Sequence, residues 1–507
     1  MAASAPPPLS FTTKTFYGFG SISYGIKDGA FKSFLMIFYN QVIGVPASVV
    51  GTAVLVALLF DSLLDPILGQ FSDNFRSRWG RRHPFMYASA IPAAGSFLLL
   101  WMPPEGLSDT AMFFYIVGVA VLVRSFITMY EIPSSALAPE LSPHYDERTS
   151  IMAFRYFFGV AGGVILAIIT FSVFLQPEPG FPVGQLNPNG WWRYAIMASC
   201  VMVLSILIST AGTHNRIPYL RQPEPRDAKP LGQTLREMGA TLNNKSFLSL
   251  MAYGLIKFTA TGTTAALNIY FATYFWGLTS HQMSILLLDS LLAAAIALPL
   301  APRLSKRFGK RPAAMALLIG TVFIGVLPYA LYFLGGLMPP VGSTALVLTL
   351  LVFQGFGSIC GITSMILIAS MLADVVEDSE VRTGRRSEGL FFAANSLIQK
   401  AVSGVGLFVA GLLLASVGFP EGAKPGAIDR TIVEELALVY IPTLIFFYSI
   451  GLICLFGYRI DRSGHEENLR RLGTPLEPGG VEPIGGAAPA GAARPIADGG
   501  PQVLPAE

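Results

Sequence analysis

Long apolar runs separated by short polar clusters fill the chain from about residue 16 to residue 460. The runs are too long for the single stripe of a surface helix and lack the alternation of a half-buried strand. A hydrocarbon core takes roughly 20 helical residues to cross, and a backbone inside it must satisfy its own hydrogen bonds. The pattern therefore predicts an all-α membrane protein with about twelve spanning helices. They fall near 16–45, 51–72, 84–103, 111–137, 152–176, 193–213, 247–277, 282–302, 312–335, 344–374, 389–418 and 435–458. A membrane β-barrel would show short alternating segments instead. One long polar break, 214–246, separates 16–213 from 247–460, which gives two groups of six spans. Residues 1–15 precede the first span. Residues 461–507, rich in Gly, Ala and Pro, read as a disordered tail.

Composition agrees with this reading. Of 507 residues, 52% are hydrophobic and only 13% are Asp, Glu, Lys or Arg. A soluble domain carries about 25%. The net charge of +3 says little about partners, because the positive charge sits in loops beside the spans. Arg76, Arg78, Arg81 and Arg82 follow the second span. Arg303, Lys306, Arg307, Lys310 and Arg311 surround the turn after the eighth, and Arg382, Arg385 and Arg386 follow the tenth. The central segment and the tail are also basic, whereas the alternate loops hold few cations apart from Lys424 and Arg430. The positive-inside rule then places both termini in the cytoplasm. Cys200, Cys360 and Cys454 lie in apolar runs without metal-type spacing, and the first residues lack a signal-peptide pattern.

The two groups repeat one another. Ser77-Arg78-Trp79-Gly80-Arg81-Arg82-His83-Pro84 follows the second span, and Ser305-Lys306-Arg307-Phe308-Gly309-Lys310-Arg311-Pro312 follows the eighth. Related halves with a substrate site between them are a common plan of secondary transporters. Asp73, Arg78, Gly80, Arg81, Arg82, Arg307, Lys310 and Arg311 are expected to form a gate on the cytoplasmic side.

Charges inside spans are costly and point to function. Asp61 and Asp65, spaced i, i+4 in the second span, share one helix face and could share a proton or hold a small cation. A sodium ion there is the one metal that the sequence would accommodate. Arg124, Thr128 and Glu131 fall along one side of the fourth span. Arg155 lies in the fifth, Lys27 and Asp28 in the first, and Lys400 in the eleventh. Lys257 and Asp289, in the seventh and eighth, are expected to pair with each other structurally.

These residues resemble the glycoside–pentoside–hexuronide:cation symporters of the major facilitator superfamily. The resemblance covers most of 16–460. It rests on Tyr17-Gly18-Phe19-Gly20, on Asp61, Asp65, Pro66 and Gly69, on Arg76-Ser77-Arg78-Trp79-Gly80, and on Glu131-Ile132-Pro133. Arg155-Tyr156-Phe157, Ala373-Asp374, Arg386-Ser387-Glu388 and Lys400 extend it. The run Gly80–Phe85 is also similar to that of plant sucrose:proton symporters. The resemblance implies a major facilitator fold and a cation site at Asp61, Asp65, Thr128 and Lys400. It implies a solute site that includes Glu131, Arg155 and Asn395, with Asp28 and Arg124 as further candidates. Three positions depart from the family. Gly25 stands where a sugar-binding aspartate is expected, Ser135 where a tryptophan stacks on the sugar, and Leu64 where sodium-using members carry an asparagine.

The function expected is symport of a small polar solute such as a sugar, glycoside or uronide by alternating access, driven by a proton in preference to sodium. A lysolipid or other amphiphile, or an organic anion, is the alternative cargo; a non-transporting sensor is a remoter reading. Nothing in the sequence suggests an enzyme, a cofactor or a nucleic-acid partner. A monomer in the plasma membrane, the inner membrane if bacterial, is expected.

Overall fold

A computed structural model describes residues 9–142, 145–220, 244–383, 404–423 and 428–460. Each expected span is occupied by helix where its residues are described. The first, α1 (11–43), is assembled from Phe11–Phe19, Ser21–Gly29 and shorter pieces joined by wide turns. Then come α2 (Ala47–Asn74), α3 (His83–Leu100), α4 (Asp109–Leu141), α5 (Tyr145–Ile169) and α6 (Pro188–His214). After the central segment follow α7 (Lys245–Tyr270), α8 (Ser280–Phe308), α9 (Lys310–Phe333) and α10 (Thr344–Thr383). The series ends with α11 (Gly404–Ser416) and α12 (Arg430–Phe456). The eleventh expected span is described only in that α11 portion. Seven of the described helices are long and apolar enough to cross a membrane. Apart from one isolated bridge between Glu178 and Phe181, the described residues hold no β-structure.

Local chemistry sets the helix ends. The Ser10, Ser108, Asn187, Asn244 and Asp429 side chains accept from backbone amides one turn in, and Thr279 with Gln282 makes a reciprocal cap. At the far ends of α1 and α7, Gly44 (φ 90°) and Gly277 (φ 59°) take a left-handed conformation that a β-carbon disfavours.

The repeat seen in the sequence is present in the packing. In the first group α2 and α3 pack on α4, and α1 packs on α6. In the second, α8 and α9 pack on α10, and α7 packs on α12. The turns that carry the repeated motif also match, since Gly80 (φ 74°) and Gly309 (φ 84°) both turn left-handed.

Among the described residues, side-chain hydrogen bonds join the groups on the side away from those basic turns. Gln41 Nε2 donates to the Pro420 carbonyl oxygen (3.0 Å), and its Oε1 accepts from the Tyr274 hydroxyl (2.9 Å) and the Ala423 amide (3.0 Å). The Tyr270 hydroxyl donates to Asn40 Oδ1 at 2.8 Å. Farther round the rim, Gln185 donates to the Leu278 carbonyl oxygen and accepts from the Ser280 hydroxyl, both at 3.0 Å. The protein is thus sealed on the side opposite its basic turns. Gln41→Ala deletes three bonds of this seal, each worth about 1 kcal/mol net. A cysteine placed at Ser280 should then react several-fold faster with a membrane-impermeant maleimide than in the otherwise unaltered protein. Equal labelling rates would mean that Gln41 does not hold the seal.

Candidate functional site

The charges inside the first group fall into three clusters. In the deepest, Asp61 on α2 meets α4. Arg124 Nε and Nη2 donate to Asp61 Oδ2 at 2.9 and 2.5 Å, and Thr128 Oγ1 donates to Oδ1 at 3.2 Å. Arg124 and Thr128 are one turn apart, so one helix face presents both donors. Asp61 and Arg124 are only 3% and 5% exposed, and the guanidinium also lies over the Phe31 ring. Burial at this depth requires a counter-charge, and each ion supplies the other's. The side chains of Asp65 and Asp73, on the same helix, lie outside the described residues, as do Asn395 and Lys400 entirely.

The second cluster joins α1, α4 and α5. Arg155 Nη1 donates to Ser134 Oγ at 3.0 Å and to the Tyr17 hydroxyl at 3.4 Å, and its guanidinium lies over the Tyr24 ring. The Tyr17 hydroxyl itself donates to the Ser134 carbonyl oxygen at 2.9 Å. Glu131 lies close enough to Arg155 and Tyr24 for their charges to interact. In the third cluster, Asp28 pairs with Lys27 at 2.9 Å and Lys32 at 3.1 Å. Arg124 is therefore grouped with Asp61, apart from Arg155 and Glu131, and Asp28 is held by its own lysines.

One of the three family departures has a physical reason here. A β-carbon on Gly25 would lie 2.0 Å from the Gly159 carbonyl oxygen, and one on Gly163 would lie 2.9 Å from the Gly25 carbonyl oxygen. Helices α1 and α5 approach backbone to backbone, and no side chain fits between them. Ser135 Oγ donates back to the Glu131 and Ile132 carbonyl oxygens of its own helix, at 2.7 and 3.0 Å.

The basic turns are clamped to their own groups. Arg81 and Arg82 both pair with Glu140 at the end of α4, Arg82 Nη2 at 2.7 Å. In the second group Lys310 Nζ pairs with Asp374 on α10 at 2.8 Å, and the Tyr458 hydroxyl donates to the other Asp374 oxygen at 3.0 Å. Arg307 and Arg311 lie over the Phe308 and Phe456 rings, while Arg78 is exposed. Glu140 was not singled out by sequence reasoning, although its place sixty residues past Gly80 mirrors that of Asp374 sixty-five past Gly309.

The expected pairing of Lys257 with Asp289 does not occur. Lys257 Nζ donates to the Gly361 carbonyl oxygen at 3.3 Å, and Asp289 Oδ2 accepts from Ser358 Oγ at 2.6 Å. Each side chain binds α10 instead. Among the described residues no group of three or more His, Cys, Asp or Glu could hold a metal ion.

Two outcomes follow for this site. Gly25→Asp should abolish a monodisperse peak in size-exclusion chromatography, and Gly25→Ala should lower the thermal unfolding midpoint. A Gly25→Asp protein as stable as the parent would contradict the close helix contact. Arg124→Gln removes the guanidinium counter-charge from buried Asp61 and should destabilise by about 3–5 kcal/mol. Adding Asp61→Asn to it should recover much of that loss. Thermal unfolding of both variants checks this, and equal destabilisation would show that the pair is not coupled.

Residues 16–462 match the family described as MFS/sugar transport protein. An uncharacterized symporter of Synechocystis is 27% identical, over 92% of this chain and 97% of that protein. The isoprimeverose transporter of Lactiplantibacillus pentosus is 26% identical, over 91% of this chain and 93% of its own length. Among solved structures, the xylose transporter of E. coli in an inward-open conformation superposes with a TM-score of 0.56 at 13% identity. That alignment covers 91% of this chain and 99% of the transporter.

Proposed function

The chain belongs to the MFS/sugar transport protein family, and from that premise we propose that it couples an inward-moving proton to uptake of a neutral sugar or glycoside. As a family member it is a multi-pass integral membrane carrier, not an enzyme. Among the relatives matched over nearly the whole length are an uncharacterized symporter and an isoprimeverose transporter. We take the two six-helix groups as the moving halves, with the basic turns facing the cytoplasm.

The observation that carries this reading is the Asp61–Arg124 pair. A carboxylate paired with an arginine deep in a span is neutral as it stands. Protonation of Asp61 removes the partner that holds the Arg124 fork, so arrival of a proton changes the hydrogen-bonding demand at the solute side of α4. Sodium would have to displace the guanidinium and then find several oxygen ligands. The Leu64 side chain supplies none. A potential of 100 mV adds roughly 2.3 kcal/mol per proton carried inward.

Charge balance favours a neutral cargo. Arg124, which alone would suit an anion, is spent on Asp61, and Arg155 faces Glu131. Neither cluster has a positive charge to spare for a carboxylate or phosphate. Asp65, one turn beyond Asp61, and Lys400 remain part of the proposed coupling site, and Asn395 part of the solute site. Arg81, Arg82 and Lys310, with their acidic partners, are the proposed cytoplasmic gate.

Proteoliposomes loaded with a pH dye and offered neutral sugars, glycosides and uronides test the proposal. The expected result is internal acidification with a neutral sugar or glycoside. It should be abolished in Asp61→Asn, while downhill exchange of the same solute survives. Several-fold stimulation by sodium that persists with a protonophore would overturn the proton assignment.

A further inference from the structure

The second group carries its own pair of intramembrane charges, and the repeat shows where they stand. Arg124 precedes Glu140 by sixteen residues on α4, and Ser358 precedes Asp374 by sixteen on α10. Glu140 and Asp374 hold equivalent basic turns, so Ser358 occupies the place of Arg124. Asp289 on α8 bonds Ser358 as Asp61 on α2 bonds Arg124. The acid is retained at the pseudo-equivalent place, but its arginine is replaced by a hydroxyl. Nothing among the described residues neutralises Asp289.

Lys257 reaches the same face of α10 one turn farther along, at Gly361. One backbone carbonyl takes one of its three N–H donors, and the Tyr253 ring lies 5.9 Å away. Lys257, Thr261, Thr264 and Asn268 recur at i, i+4, i+7 and i+11, which makes one polar stripe along α7. Thr261 and Asn268 are exposed, and Lys257 and Asp289 are partly so. On α10, Gln354 lies one turn before Ser358, partly exposed, with no hydrogen bond among the described residues. Hydrocarbon would not accept such a stripe, whereas a water-filled path between the groups would.

We propose that Lys257 and Asp289, set on Gly361 and Ser358 of α10, form the second group's solute subsite and bind adjacent hydroxyls of a neutral sugar. This rests on the sugar-symport reading above and assigns the groups that the second half contributes. An ammonium with unspent donors and a carboxylate with unspent lone pairs, held apart by their bonds to α10, need a ligand that both donates and accepts. A vicinal diol does both and leaves the site neutral. An anionic solute would satisfy Lys257 and be repelled by Asp289.

The test is thermal stabilisation of the purified full chain by the same panel of neutral sugars, glycosides and uronides, alongside KM and the proton-to-solute ratio in proteoliposomes. Lys257→Gln and Asp289→Asn keep size while removing charge. Each should weaken sugar binding about ten-fold to a hundred-fold, as expected for lost hydrogen bonds to charged groups. The proton-to-solute ratio and the pH profile of transport should stay unchanged. If either variant fails to fold, Ser358→Ala, which only frees Asp289 from its tether, should raise KM by a smaller factor. Unaltered sugar affinity in these variants overturns the subsite and leaves sugar symport standing. A changed proton ratio at unaltered affinity also overturns it, by moving the pair to coupling. A wild-type protein stabilised by no sugar or glycoside removes the reading on which the subsite rests, and the subsite falls with it.

Discussion

A charge taken into a membrane is costly unless it is neutralised where it stands, and the interior of the first group is arranged around that constraint. Asp61 is neutralised by Arg124, which bonds one carboxylate oxygen through two guanidinium nitrogens while Thr128 holds the other oxygen. That pair fixes α2 against α4. Arg155 is bound in turn by Ser134 and Tyr17, which fixes α5 against α4 and α1. Each charged residue thus has both an electrostatic need and a helix-positioning consequence. An ion that changes the need changes the positions.

The internal repeat separates the contacts that recur in both groups from those that do not. Turn glycines, basic turns and their acidic clamps recur in both groups, at Gly80 and Gly309, at Arg82 and Lys310, and at Glu140 and Asp374. These belong to the plan that both groups share, and the proposed cytoplasmic gate is built from them. The intramembrane charges recur only in part. Where the first group pairs Asp61 with arginine, the second gives Asp289 a serine. On the proposed reading, unequal charge at equivalent places lets the first half titrate while the second contributes to binding.

Much of this was legible in the sequence. The spans follow from apolar run length, since burial in lipid is the one constraint that acts on every residue of a segment. The basic-Gly-basic turn was legible because left-handed glycine and loop charge both leave a local mark. Partner choice was not. Lys257 and Asp289 are both accessible to α10, and which bond forms depends on where α10 presents a carbonyl at Gly361 and a hydroxyl at Ser358. Arg124 was grouped with the solute site because a guanidinium in isolation suits an anion. Only the meeting of α2 with α4 shows that the anion is internal. The loss of an aspartate at Gly25 likewise looked like altered recognition, whereas the Gly159 backbone at that spot leaves no room for any side chain.

The seal opposite the basic turns is made of amide and hydroxyl groups bonded to carbonyls: Gln41 with Pro420, Ala423 and Tyr274, and Asn40 with Tyr270. Such bonds are exchanged for bonds to water when they part, at a net cost of about 1 kcal/mol each. An apolar seal of the same extent would bare its surface on opening and resist separation far more strongly. The hydrogen-bonded part of the closed side therefore parts at little cost. A machine that must visit both faces of the membrane in every turnover spends its time crossing barriers, and a latch that water can replace keeps those crossings fast.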